Sequence, residues 1–362
     1  VALRRGRKGE LGIEVLPLIE LALPEPPDDH TPSLLRDRHP ETADAFSAAL
    51  QRSLDNPSRL QGHWTQYAFE AVAVTLGAIR LIKTEDAGQY YFDDTDGSLL
   101  PPDFRIVLRD NTVLLVEVKS VKPGAEGRTR VRAEDMAAAQ AYARATGGRL
   151  LYAHHWAGPN LWTLVDPSRF EEAGRYRQLS IFSALKGNEM ALLGDAQLAG
   201  KPPLTLSVLF DPEQERPSTG PEAEDGERQV AVSGVEWSSD GEVITDPLEW
   251  HLAWFLALHS GWMPRQRTQT DSAGRMVRFD YDFAPDVGEE TAAHHARQGF
   301  AFFGALSSLC TRLFQMATTT EDGGIIALRR EPSPALATKL LPDDYWEREH
   351  VLKVWKFVQR PS

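Results

Sequence analysis

The run Val113–Val121, VLLVEVKSV, constrains this chain more than any other stretch. Its four valines and two leucines favour an extended backbone. An apolar run this dense suits a central strand covered on both faces. Yet Glu117 and Lys119 stand inside it. Side chains alternate along a strand, so Glu117 and Lys119 share one face while Val118 enters the other. Unpaired charges in a central strand are costly, so the fold must give these two a purpose or a partner.

The flanking segments suggest where that partner comes from. Residues 103–109 (DFRIVLR), just after Pro101-Pro102, read as a second strand, and Asp110-Asn111 as the turn between them. Such a hairpin carries Asp103 towards Glu117 and Lys119. Two carboxylates and a main-chain carbonyl, that of Val118, form an oxygen-rich set that suits Mg2+ or Mn2+. A lysine beside them can position or deprotonate a water for attack on phosphorus.

Upstream, 41–54 reads as a short helix and 60–78 as a longer amphipathic one, with Trp64, Ala68, Ala71, Val72 and Thr75 on one stripe. Residues 89–92 (QYYF) read as a strand before a turn at Thr95-Asp96-Gly97. Downstream, 133–146 is Ala-rich and helical, closed by Gly147-Gly148, and 149–154 and 161–165 are strands. The order helix, three strands, helix, two strands predicts an α/β fold.

Taken with that context, Asp103, Glu117 and Lys119 resemble the PD-(D/E)xK nuclease superfamily, the restriction-endonuclease-like fold, over roughly residues 60–167. The resemblance implies a mixed sheet flanked by helices. It makes Asp103 and Glu117 the paired acids, with the Val118 carbonyl as a further ligand of Mg2+ or Mn2+, and Lys119 the lysine that orients the attacking water. Relatives often carry a glutamate on the upstream helix, which implies that Glu70, close to His63 and Gln66, binds a second metal or organises the ligands of the first, with His63 accessory; some carry a glutamine on the downstream helix, which implies an accessory role for Gln140. The implied activity is in-line hydrolysis of DNA phosphodiester bonds to a 5′-phosphate and a 3′-hydroxyl. Within the superfamily the Pro-Asp-Phe strand followed by LLVEVK is similar to transposon end-cleaving subunits of the TnsA type and to nuclease components of bacterial defence systems. That likeness implies a subunit of a transposition or antiviral-defence complex. Two other readings stay open: a catalytically silent DNA-binding or scaffold subunit on the same fold, and an RNase on the same site. The intact Asp103, Glu117 and Lys119 weigh against the silent subunit.

Charge is uneven along the chain. The 362 residues carry a formal −13, which at first argues against a nucleic-acid partner. Residues 211–246, however, hold eleven acids against Arg216 and Arg228, a net −9, whereas 119–132 carry +4. Lys122, Arg128, Arg130 and Arg132, with Gly124 and Gly127 among them, predict a flexible loop that grips phosphates beside the site. The acidic stretch, broken by Pro212, Pro217 and Pro221, reads as a linker up to Glu227, with a strand at 229–237. Helical patterns at 247–260, 289–318 and 343–358 predict a mostly helical C-terminal domain. The expected division is therefore an N-terminal extension (1–58), a nuclease-like domain (59–210), an acidic linker (211–246) and a helical domain (247–362) that docks a protein partner or a second copy.

Other signals exclude more than they add. A calcium loop at Asp93, Asp94 and Asp96 would need a glutamate where Arg105 stands. His154 and His155 cannot face the same side of a strand, and no phosphate loop, dinucleotide fingerprint, serine elbow or HExxH is present. The single cysteine, Cys310, in an apolar helical pattern, reads as core and fits a reducing, cytoplasmic setting. No apolar run is long enough for a membrane span, and the Arg4–Lys8 region lacks the apolar stretch of a secretory signal.

Overall fold

Asn56 and Pro57 launch the helix that organises the molecule. Proline at the first helical position loses no hydrogen bond, and Asn56 Oδ1 accepts from the Arg59 amide at 3.1 Å. In the computed structural model, which describes residues 39–86, 90–93, 98–124, 126–217 and 228–360, helix α1 (His39–Leu54) precedes this helix, α2 (Pro57–Leu76). Gly77 ends α2 at φ 81°, donating back to Ala73 O, and a Cβ there would come within 2.9 Å of Ala335. Both the left-handed backbone and the close approach demand glycine.

Strands β1 (Ile79–Thr84), β2 (Phe104–Leu108), β3 (Val113–Val121), β5 (Arg149–Trp156) and β6 (Leu161–Val165) form one sheet in that order, with β3 at its centre. Only β3 and β5 run parallel. Their crossover holds β4 (Arg128–Arg132) and α3 (Ala133–Thr146), as a parallel pair requires. The α/β character is that expected, and so is the order αβββαββ among the strands of this sheet; β4, between β3 and α3, pairs outside it. The first strand is not the one expected: it is Ile79–Thr84, while Tyr90–Phe92 has no regular structure and residues 94–97 lie outside the described part. Of β1 only Ile79 is buried, because β1 is an edge strand and needs little apolar signal.

The two faces of the sheet bury different partners. Phe104, Ile106, Leu114, Val116, Val118 and Leu151 pack towards α2, whereas Leu115, Val121, Leu150 and Tyr152 pack against Met136, Ala139 and Ala143 of α3. Two further strands, β7 (Glu171–Ala173) and β8 (Tyr176–Ser180), extend from β4 in a small sheet, followed by α4 (Ile181–Lys186).

The remainder corrects two expectations. The acidic stretch 211–246 is mostly strand: residues 211–217 end β10 (Leu204–Pro217), the strand expected at 229–237 forms as β11 (Arg228–Ser239), and β12 (Glu242–Ile244) follows; 218–227 lie outside the described residues. With β13 (Trp262–Thr270) and β14 (Met276–Pro285) they make a five-stranded antiparallel sheet, ordered β12-β11-β10-β14-β13. Its acids are matched by basic side chains: Glu213 pairs with Arg275 at 2.9 Å, Glu236 with Arg278 at 2.8 Å, and Glu215 with Arg228. Composition read locally sees the acids but not the arginines that the sheet brings beside them.

The region after 246 is mixed rather than mostly helical. Helix α5 (Pro247–His259) forms as expected, but 289–318 splits into α6 (Glu289–Gln298), β15 (Ala301–Ala305) and α7 (Leu306–Thr318). Gly299, at φ 81°, stops α6, and the aromatic run after it pairs with β9 (Gln197–Gly200). Residues 343–358 hold a short 3-10 turn and β16 (Val354–Phe357), after the brief helix α8 (Leu336–Leu340). One apolar core runs from Trp64 to Val354, with no break at residue 246. Trp64 Nε1 donates to Thr318 Oγ1 at 3.1 Å and Trp162 Nε1 to Thr311 Oγ1 at 2.8 Å, tying α2 and β6 to α7. Cys310 lies in this core, where burial pushes its thiol pKa up. No helix among the described residues is long and apolar enough to cross a membrane.

Candidate functional site

Asp103 sits at the mouth of the β2–β3 hairpin, and the register decides its neighbours. Phe104 pairs with Val116, so the residue before it falls beside Glu117. The Val118 amide donates to Asp103 Oδ2 at 2.6 Å, and Gln66 Nε2 of α2 donates to Oδ1 at 2.5 Å. Lys119 Nζ donates to Glu117 Oε1 at 2.6 Å. Val118, between them, is buried on the opposite face. Asp103, Glu117, Val118 and Lys119 thus come together.

The electrostatics follow from this crowding. Asp103 is 7% exposed. Burial, and then the Glu117 charge beside it, lift its carboxyl to about 8, against the opposing pull of the Val118 amide and Lys119. Burial also works against charge on Lys119, but Glu117, Asp103 and Asp135 outweigh it and raise its pKa. Lys119 is therefore an ammonium group, suited to holding a water by donation rather than to taking its proton. Burial and the same three acids push the Tyr152 phenol up.

Surrounding groups fix this arrangement. The Glu85 amide donates to the Asp103 carbonyl at 2.9 Å, while the Glu85 carboxylate accepts from Arg105 at 2.5 Å and from the Tyr142 hydroxyl at 2.7 Å. The end of β1, the start of β2 and helix α3 are clamped at one point. His63 Nδ1 lies 3.1 Å from Gln66 Oε1, continuing the chain from Asp103 onto α2, and the Asp86 charge nearby adds to the rise in the Asp103 pKa.

The remaining expected residues fall elsewhere. Glu70 lies on α2, where its Oε1 accepts from Arg329 Nη2 at 2.9 Å, an ion pair with the C-terminal segment and not with the cluster. Gln140, half-buried on α3, makes no hydrogen bond to Asp103, Glu117 or Lys119. Arg128, Arg130 and Arg132 are not on a loop: they alternate with Thr129 and Val131 along β4, paired to β8. Arg130 donates to Gln178 at 3.0 Å and Arg132 lies 3.5 Å from Glu134, whereas Arg128 and Lys122 are exposed.

Gln66, Asp86 and Asp135 are the neighbours that sequence reasoning did not single out as functional. Gln66 was legible only as a polar residue one turn from His63. Asp86 follows a strand that local pattern did not reveal. His154 is the partner of Lys119 in the parallel register, fully buried, with neither ring nitrogen hydrogen-bonded. Burial and then Lys119 hold its pKa at about 3, so it is a neutral wall of the site. His155 points to the other face, stacked on Trp162.

Among the described residues no three His, Cys, Asp or Glu side chains converge as a metal cluster. The donor set is two carboxylates and main-chain oxygen. A buried Asp103, left hard to ionise by burial and then by the neighbouring, partly exposed Glu117, fits a small divalent cation that keeps several waters.

Neither a family model nor a curated protein matches this chain. Among solved structures it is similar to Hjc, a Holliday junction resolvase from the archaeal hyperthermophile Archaeoglobus fulgidus. The identity is 19%, over 26% of this chain and 73% of that one, with a TM-score of 0.23.

Proposed function

We propose that this chain is a metal-dependent endonuclease that hydrolyses DNA phosphodiester bonds as a subunit of a transposition or antiviral-defence complex. The observation that carries the reading is the convergence of Asp103, Glu117 and Lys119 at one hairpin mouth, with Asp103 held at a carboxyl pKa of about 8. Perturbed acids of this kind cluster at functional sites. Asp103, Glu117 and the Val118 carbonyl would hold Mg2+ or Mn2+, which would supply positive charge against the developing charge on phosphorus. Lys119, tethered by Glu117, donates to the attacking water and keeps it in line. Gln66 fixes the Asp103 carboxylate in one orientation. Lys122 and Arg128, both exposed, would neutralise flanking phosphates, and the C-terminal region would dock a protein partner or a second copy.

The test is incubation of plasmid, linear duplex, single-stranded DNA and RNA with the protein in Mg2+ or Mn2+, comparing wild type with Lys119→Ala and Asp103→Ala. The expected result is DNA cleavage by wild type and a loss of at least a hundredfold in both variants. Cleavage of RNA alone would assign an RNase. A folded protein that cuts nothing with its native partners would be a binding subunit, and equal activity in the variants would remove the site.

A further inference from the structure

The small sheet β15-β9-β16 buries one face and leaves aromatic rings on the other. Ala301, Phe303, Leu198 and Val354 turn inward to the core. Outward, Phe302 pairs with Ala199, which pairs with Trp355, so two large rings lie either side of a fully covered Ala199 in one row. Phe357 stands two residues along β16, and Phe300 precedes β15. Their centroids lie 5.4 to 5.8 Å apart. The rings stay open: Phe302 is 49% exposed, Phe357 40% and Trp355 36%.

Cations border this face, alongside Glu242 and Glu349 of the pocket that Lys353 and Trp355 also line. Residues 353–360 (KVWKFVQR) interleave Lys353, Lys356 and Arg360 with aromatic and apolar residues and contain no acid. Lys201 and Lys353 each lie one residue beyond the paired Gly200 and Val354. Lys201, held by Asp240 at 2.5 Å, also lines a cavity of about 290 Å3 with Arg265, His295, Pro285, Val287 and Ala292. Among the described residues neither Arg265 nor Lys353 forms an ion pair.

We propose that this outer face is a stacking platform for single-stranded nucleic acid, whose phosphates run towards Lys353 and the cavity at Arg265. Planar rings accept any base by stacking, and the bordering cations suit a polyanion better than an apolar protein surface. Duplex DNA keeps its base faces inside the stack and cannot use the rings. The proposal extends beyond the nuclease site and stands without it.

The experiment is fluorescence anisotropy of the full chain with labelled oligo(dT), oligo(U) and duplex DNA of about 16 nucleotides, in EDTA so that no cleavage intervenes. Single strands are expected to bind more tightly than duplex, and whichever of oligo(dT) and oligo(U) binds better names the polymer. Phe302→Ala and Trp355→Ala should each weaken binding about tenfold. Phe302→Leu and Trp355→Leu, which keep the apolar body and the fold, should weaken it similarly. Arg265→Ala should flatten the salt dependence. Failure of wild type to bind either single strand, or unchanged affinity in the leucine variants, overturns the proposal. So does a Phe302→Ala protein that loses self-association by gel filtration while its oligonucleotide affinity holds, which would make the face a protein contact. Cleavage assays on the same variants keep this outcome separate from that of the Asp103 site.

Discussion

Replacing Asp103 with asparagine should make the metal-free protein more stable while removing its activity. The Asp103 carboxyl is lifted from 3.8 to about 8, first by burial and then by Glu117. An acid with a folded-state pKa above its unfolded one weakens the fold as pH rises through the interval between the two values. The loss is about 1.4 kcal/mol per pH unit in that interval, or about 4 kcal/mol at pH 7. Below about pH 4 the carboxyl is protonated in both states and contributes nothing. Asparagine carries no charge at any pH, and its amide oxygen can still accept from the Val118 amide. Urea unfolding in EDTA should therefore show Asp103→Asn about 1 kcal/mol below wild type near pH 4, the cost of the disturbed hydrogen bond from Gln66. The balance should then turn in favour of the variant and reach about 4 kcal/mol near pH 8. Adding Mg2+ should stabilise wild type and leave the variant unmoved, since the metal offsets the charge that asparagine lacks. A difference that does not change with pH, or an asparagine protein less stable at pH 8, would refute the reasoning.

Other expectations follow from particular contacts. Gln66→Ala, which frees the Asp103 carboxylate from α2, should lower cleavage by about ten- to a hundredfold with an unchanged circular dichroism spectrum; full activity would show that Gln66 does not position Asp103. Thr311→Val orphans the buried Trp162 indole N–H and should cost about 1–3 kcal/mol in urea unfolding. Trp162→Phe combined with Thr311→Val should cost less than the sum of the two single changes; strict additivity would mean that the hydrogen bond contributes nothing to holding α7 against the sheet.

Much of the site was legible because its logic is local. The period of two in VLLVEVKSV fixes Glu117 and Lys119 on one face, and a short hairpin leaves Asp103 few places other than beside them. The Ala-rich α3, ended by Gly147, and strands β5 and β6 carried equally local signals. Gln66 displaced Glu70 from the expected place because a helical wheel fixes angular position but not the depth at which α2 crosses the sheet. Once Arg329, from far along the chain, reaches Glu70, that glutamate is committed to an ion pair. The basic segment after Lys119 looked like a loop because the partner of β4 is β8, which lies beyond a helix and three strands.

The sequence by itself determined the central strand, the two acids and the lysine at its mouth, and the α/β order around them, since each depends on residues within one hairpin or one helix. Only the tertiary structure decided that residues 211–217 are strand, that the carboxylates of Glu213 and Glu236 meet Arg275 and Arg278, and that α7 closes the core over α2 through Thr318 and over β6 through Thr311. It also decided that one face of the β15-β9-β16 sheet keeps its rings in solvent. These are pairings between distant segments. Strand register and helix packing set them, and neither leaves a periodic trace in the residues that take part.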